Sequence, residues 1–266
     1  MEVTEINVFP LKSARGFGLS AAEVRPRGLA GDRRWMVVDE NHQFMTARKC
    51  PALLSILTRL DEHRLTLRAR DREPLTVALA TPDRRAPVVI WRDEVDACLP
   101  DPAADAWLSE VLGQACYLAY MDERAVRPLA AKHGFDDHVV SFADGMPLLL
   151  VNEASVADVS ARVGRPIETL RFRPNIVIRG AEAFAEDSWR EVRVGDVTFA
   201  VVSACARCVF TTLDPITGER DPAGEPLKTL SSFRRHPQKR SDVLFGANLT
   251  PLGNGVVRVG DPVTVT

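Results

Sequence analysis

Cysteine is scarce in this chain. There are five, Cys50, Cys98, Cys116, Cys205 and Cys208, among 266 residues. So few, and an odd number, exclude a disulfide-stapled scaffold and suit a reducing cytoplasm. Aromatic residues make up only 6%, and positive charge is not in excess: 34 Lys and Arg face 36 Asp and Glu, for a formal charge of -2. Non-specific nucleic-acid binding needs cations set against phosphates, so it is excluded as the main role. A base-stacking platform lacks its rings. No apolar run reaches the roughly 18 residues of a membrane span. The opening MEVTEINVFPLK has neither the basic region nor the apolar core of a signal peptide, so a cytoplasmic location with no membrane contact is expected. What remains is ordinary for a globular protein, with 45% hydrophobic and 26% charged residues. The length suits one large domain or two smaller ones.

The first hundred residues predict short strands at even spacing, which favours a barrel or sandwich. Thr4, Ile6 and Val8 alternate with polar residues, Trp35 to Val38 form an apolar run, and Val88 to Trp91 form another. Helices are fewer. Asp101-Pro102 before AADAWLSEVL and Gly113 supplies an N-cap, a first-turn Pro and a terminal Gly. Asn152 before EASVADVSARV and Gly164 repeats that logic, and PLKTLSSFRR from Pro226 has helical spacing. Val192 to Val201, around Gly195-Asp196, predicts a hairpin. The polar stretch from Asp122 to Asp144, with Lys132, His133 and Asp136 at its centre, predicts a linker or mobile loop, and a domain boundary is placed just before it.

Four short segments carry residues with chemistry. Cys205-Ala206-Arg207-Cys208 has the spacing of half a zinc site, a redox dithiol or a single reactive thiolate. Zinc lacks two further ligands at suitable spacing, and the redox reading lacks a following helix. A ligating or nucleophilic thiolate remains, with Arg207 beside it to favour the charged form, as does a plain buried cysteine pair. Phe9-Pro10-Leu11-Lys12-Ser13 puts an ammonium and a hydroxyl at a strand end, where they suit a phosphate or form a solvated turn. Gly28 to Trp35 carries Arg33, which suits an anion or pairs with Asp32. Arg173 and Asn175 flank Pro174 at the start of another strand. Together these supply Lys12, Arg33, Arg173 and Arg207 as cations and Cys208 as a soft ligand; spacing does not say that they converge.

Several longer stretches share a pattern: FPLKSARG, PRGLAGDRRWMVVDE, FMTARKCPAL, RFRPNIVI, FAEDSW, CARCVFTTLDPITGERDPAGEPLKTL, FGANL and VGDPV. Through them nearly the whole chain resembles the MOSC-domain proteins, and within these the subgroup with an N-terminal MOSC β-barrel domain that reduces amidoximes and N-hydroxylated bases. The resemblance implies a β-rich α+β fold, with a MOSC β-barrel packed against an N-terminal β-barrel-like domain and a few peripheral helices. It divides the chain into residues 1–121 (N-terminal domain) and 122–266 (MOSC domain). It implies the molybdenum cofactor, a pterin dithiolene with a terminal phosphate, and a molybdenum-dependent oxidoreductase. Cys208 matches the metal-ligating cysteine. Lys12, Ser13, Arg33, Arg173, Asn175, Arg207 and Asn248 match cofactor-contacting positions. Asp144 matches an acidic residue near the metal, a proton donor, with Gly145 and Met146 beside it.

Three departures bear on the expectation. Ala14 stands where several relatives have Cys, and the chain has no C-x4-C-x2-C cluster for an iron–sulfur centre. The mitochondrial targeting and anchor segment of those relatives is expected to be absent. Electrons are therefore expected from a separate donor protein of ferredoxin or flavin-reductase type. The competing readings are a carrier that binds the cofactor without turnover, and a thiol-based sulfur-transfer protein using Cys208.

Overall fold

The computed structural model describes residues 1–62, 64–79, 84–130, 134–135 and 137–266. It is a β-rich α+β fold, as expected. The largest sheet has eight strands, in the order Val263–Val265, Glu191–Val194, Val197–Arg207, Val243–Pro251, Leu148–Asn152, Ile176–Arg179, Glu2–Val8 and Phe17–Leu19. The first strand of the chain therefore completes a sheet built mostly from its second half. Leu148–Asn152 is buried along its whole length and runs parallel to Ile176–Arg179. A strand covered on both faces has no need of polar alternation, which is why it reads LLLVN. Val3, Ile6, Leu148, Leu150, Ile178, Phe199 and Leu249 close the core on one side.

Three smaller sheets surround this one. Trp35–Asp39, Cys116–Tyr120, Asp93–Cys98 and Arg85–Ile90 form a four-stranded antiparallel sheet. Leu57–Leu60, Arg64–Arg68 and Leu75–Ala78 form a meander. Gly255–Arg258, Ala21–Arg25 and Gly28–Leu29 form the third. The second core lies under the first two of these, around Leu11, Trp35, Leu53, Leu65, Leu108 and Leu118.

The first two helices fall where their caps predict, and the third where its apolar spacing does. α1 spans Pro102–Leu112 with the Asp101 side chain accepting from Ala103 N, and Gly113 ends it at φ 69°. α2 spans Glu153–Val163 with Asn152 as cap and Gly164 at φ 82°. It crosses between the two parallel strands and buries Val156 and Val159. α3 spans Leu227–Phe233 and buries Leu230.

Two expectations are corrected. The strand expected over Val88 to Trp91 ends at Ile90, and Ile90 pairs with Asp93, so Trp91 and Arg92 form a two-residue hairpin turn. Trp91 sits there at φ 59° and is 45% exposed. The stretch from Asp122 to Asp144 has no α-helix or named strand among its described residues, yet it is not a loose linker. Asp122, Arg127, Ser141 and Phe142 are buried, and Arg127 Nη1 donates to Ser141 O (2.9 Å) and Ala143 O (2.6 Å). Polar side chains that close hydrogen bonds inward look the same in sequence as ones that meet water. Lys132, His133 and Asp136 lie outside the described residues.

Candidate functional site

The strand Val197–Arg207 runs farther than its hairpin needs, so Cys205, Arg207 and Cys208 arrive at its far end. Its pairing with Val243–Pro251 shifts register twice, between Val201 and Ser203 and between Ala204 and Ala206. Such bulges re-aim side chains near sites. Opposite the second shift lies Gly246 at φ 77°, where a Cβ would stand 2.9 Å from Leu150 O. Only glycine fits both conditions.

The bulged strand end faces a cavity of about 340 Å³. All of the residues singled out in the sequence line it: Lys12, Ser13, Arg33, Asp144, Gly145, Met146, Arg173, Asn175, Arg207, Cys208 and Asn248. Three of them, Ser13 (φ 66°), Arg33 (φ 48°) and Arg173 (φ 55°), hold left-handed backbone. That conformation costs a non-glycine residue about 1 kcal/mol, and its clustering here marks a site assembled by its surroundings.

Asn175 is the hub. It is fully buried, and its Oδ1 accepts from Arg33 Nη1 (2.9 Å) and Leu149 N (3.2 Å) while its Nδ2 donates to Asn7 O (3.1 Å). Arg33 also pairs with the buried Asp32, and its Nη2 donates to Arg173 O (3.2 Å). Arg33 thus pairs with Asp32, one of its two sequence readings, and also lines the cavity. Arg173 Nη1 donates to Ala14 O (2.8 Å), and its Cζ sits 4.1 Å above the Phe9 ring. Arg207 Nη2 donates to Phe172 O (2.7 Å), and Asn248 Nδ2 donates to Ser203 Oγ (3.2 Å).

Charge at the site is unbalanced. Lys12, Arg33, Arg48, Arg173 and Arg207 line the cavity against the single carboxylate of Asp144. Lys12 Nζ donates to Phe142 O (2.8 Å) and pairs with Asp144. Burial is the dominant effect on Lys12 and pushes its pKa down to about 8, although the charge and hydrogen bond of Asp144 push the other way. For Asp144 burial works upward, but the charge and hydrogen bond of Lys12, with Arg48 and Arg33 behind them, win and hold the carboxyl well below the usual carboxylate range. Burial, then the neighbouring Arg33, lowers the Arg173 pKa to about 9, which leaves it charged at neutral pH.

Two donors of the cavity wall have no hydrogen-bond partner among the described residues. Arg173 Nη2 and Arg207 Nε are buried without a hydrogen bond. Orphaned buried charge-bearing donors are costly unless a ligand supplies the acceptor. The donor set therefore fits a large anionic group, and Cys208 offers it one soft ligand.

The structure rearranges one pairing. Arg207 Nη1 lies 3.0 Å from Cys205 Sγ, whereas the cation facing Cys208 is Arg48, with Nη1 3.7 Å from Cys208 Sγ. Arg48 and Thr46 belong to the cavity wall and had no signal of their own in the sequence beyond lying within FMTARKCPAL. Cys205 lines the cavity as well.

Residues 1–115 match the MOSC N-terminal beta barrel domain and residues 137–264 match the MOSC domain. The chain belongs to the MOSC family. It is 36% identical to mitochondrial amidoxime-reducing component 1 of Mus musculus over 98% of this chain and 81% of that protein. It is 34% identical to the Homo sapiens component 1 over 98% and 82%, and 34% identical to component 2 of Rattus norvegicus over the same shares. Among solved structures, the YUAD protein from Bacillus subtilis is similar at a TM-score of 0.42 and 8% identity, over 98% of this chain and 93% of that one. In this MOSC chain the two edge strands of the main sheet, Val263–Val265 and Phe17–Leu19, come from opposite ends of the sequence.

Proposed function

We propose that this MOSC chain is a molybdenum-cofactor-dependent reductase of N-oxygenated compounds, such as amidoximes and N-hydroxylated bases. The observation that carries the reading is the pair of unpartnered buried donors, Arg173 Nη2 and Arg207 Nε, in a cavity that also presents Cys208. Similarity to proteins named amidoxime-reducing components supports the substrate class. We divide the chain at residues 121 and 122 into its N-terminal and cofactor-binding parts.

The cofactor would be held by Lys12, Ser13, Arg33, Arg173, Asn175, Arg207 and Asn248, with Gly145 and Met146 beside it and the Cys208 thiolate as metal ligand. When bound, it supplies the two-electron redox chemistry. The net reaction takes two electrons and two protons, breaks the N–O bond and releases the oxygen as water. Arg173 and Arg207 meet the cofactor's negative charge with fixed donors, so no reorganisation is needed on binding. Asn175 keeps Arg33 and the Leu149 backbone in place. The Lys12–Asp144 pair serves proton delivery as a unit: the carboxylate stays ionised, and the ammonium carries the proton close to neutral pH. Electrons come from a separate donor protein.

The test is turnover. With reduced viologen as donor, the loaded protein is expected to convert an N-hydroxylated base to the base, and Cys208→Ala is expected to lose that conversion. Cofactor bound in full with no turnover on any N-oxygenated compound would leave a carrier instead.

A further inference from the structure

A closed loop of contacts joins Lys12, Arg48 and Asp144 of the cavity wall to two aromatic side chains beside them, Phe44 and Trp91. Lys12 Nζ lies 5.8 Å from the centre of the Phe44 ring. Phe44 meets Trp91 with ring centroids 4.9 Å apart and a 52° tilt. Arg48 Cζ lies 4.6 Å from the centre of the Trp91 ring. Arg48 Nη1 then faces Cys208 Sγ at 3.7 Å and Asp144 Oδ2 at 4.0 Å, and Asp144 returns to Lys12. All members but Asp144 and Cys208 come from the first hundred residues.

Three features of these contacts are unexplained by folding. Trp91 is the large aromatic at a hairpin turn position where φ is 59°, a place that favours glycine. It is 45% exposed, so its indole contributes little to either core. Among the described residues Arg48 makes no short hydrogen bond: its polar partners are Thr46 Oγ1 at 3.5 Å and the two loose contacts above. Strain, exposed aromatic surface and an underused guanidinium meet where Arg48 lies on Trp91, and Arg48 Nη1 is 3.7 Å from the Cys208 thiol.

We infer that Trp91, backed by Phe44 and Arg48, is a specificity platform that selects N-oxygenated substrates carrying a flat conjugated ring. This rests on the reductase reading. The ring of an aryl amidoxime or N-hydroxylated base stacks against the indole and guanidinium, and the attached N–O group reaches inward past Arg48 toward Cys208. An indole face and a guanidinium are both partners for a π-system. An aliphatic N-oxygenated compound reaches the same inner site without that contact.

The test uses cofactor-loaded protein, reduced viologen and two probes that share the reacting group, benzamidoxime and acetamidoxime. Trp91→Ala is expected to lower the kcat/KM ratio of benzamidoxime to acetamidoxime by about fivefold, through KM, and Trp91→Phe to recover most of it. A second readout needs no turnover. Benzamidine, the aryl product, is expected to change the tryptophan emission of the wild type, and Trp91→Phe, which keeps a ring but no indole, to abolish that change. An unaltered ratio in Trp91→Ala, or an emission change that survives in Trp91→Phe, overturns the platform. If the wild type reduces neither amidoxime, the reductase reading fails, and the emission titration alone decides whether the platform binds aryl ligands.

Discussion

Lys12 is a buried ammonium whose only charged partner at bonding distance among the described residues is Asp144. With a pKa near 8 instead of its ordinary 10.5, it loses its proton within reach of an assay. An anion in the cavity raises that value, so the loaded enzyme is expected to lose activity on the alkaline side at or above pH 8. Asp144→Asn removes the charge and hydrogen bond that hold the proton on Lys12, so the inflection moves to lower pH; a profile unmoved by that substitution contradicts the pair. In the cofactor-free chain the same shift has a stability sign. Between about 8 and 10.5 the unfolded state binds more protons than the folded one, so this group's contribution to stability rises with pH. Asn175 is tested by truncation. Asn175→Ala leaves Arg33, Leu149 N and Asn7 O short of a buried partner and is expected to cost about 3 kcal/mol, a Tm fall of roughly 6–12 °C by calorimetry. At this scale the sequence was informative about residue types and silent about pairs. Arg207 adjoins Cys208 in sequence, yet strand geometry sends its guanidinium to Cys205, and Arg48 arrives from a distant segment instead.

Secondary-structure elements divide by how local their causes are. α1 and α2 were legible to the residue because a capping side chain and a terminal glycine act within one turn. The hairpin at Gly195-Asp196 was legible for the same reason. The turn at Trp91 was not, because the residue there contradicts the turn's own preference. The packed stretch before Asp144 was not, because its buried arginine bonds to backbone carbonyls rather than to anything visible in composition. Gly246 belongs to this scale. Gly246→Ala places a methyl against Leu150 O at left-handed φ, opposite the bulge that aims Cys205 and Arg207. It is expected to destabilise the fold by at least about 2 kcal/mol in urea unfolding. It is also expected to reduce cofactor occupancy further than the lost stability explains, because the register at the site resets.

Across the whole molecule, the site exists only where both halves of the chain meet. Lys12, Arg33 and Arg48 come from one part and Arg173, Arg207 and Cys208 from the other, and the eight-stranded sheet binds the two ends together. No periodicity encodes that convergence; the family resemblance of FPLKSARG, RFRPNIVI and CARC did, because those stretches are shared as a set. Among the described residues no helix is long and apolar enough to cross a membrane. The most direct measurement is molybdenum content by elemental mass spectrometry, on protein made in a host that synthesises the cofactor, wild type beside Cys208→Ala. Near-stoichiometric molybdenum in the wild type and its loss in the variant is the predicted result. A wild type with neither molybdenum nor pterin contradicts the account and returns Cys208 to thiol chemistry.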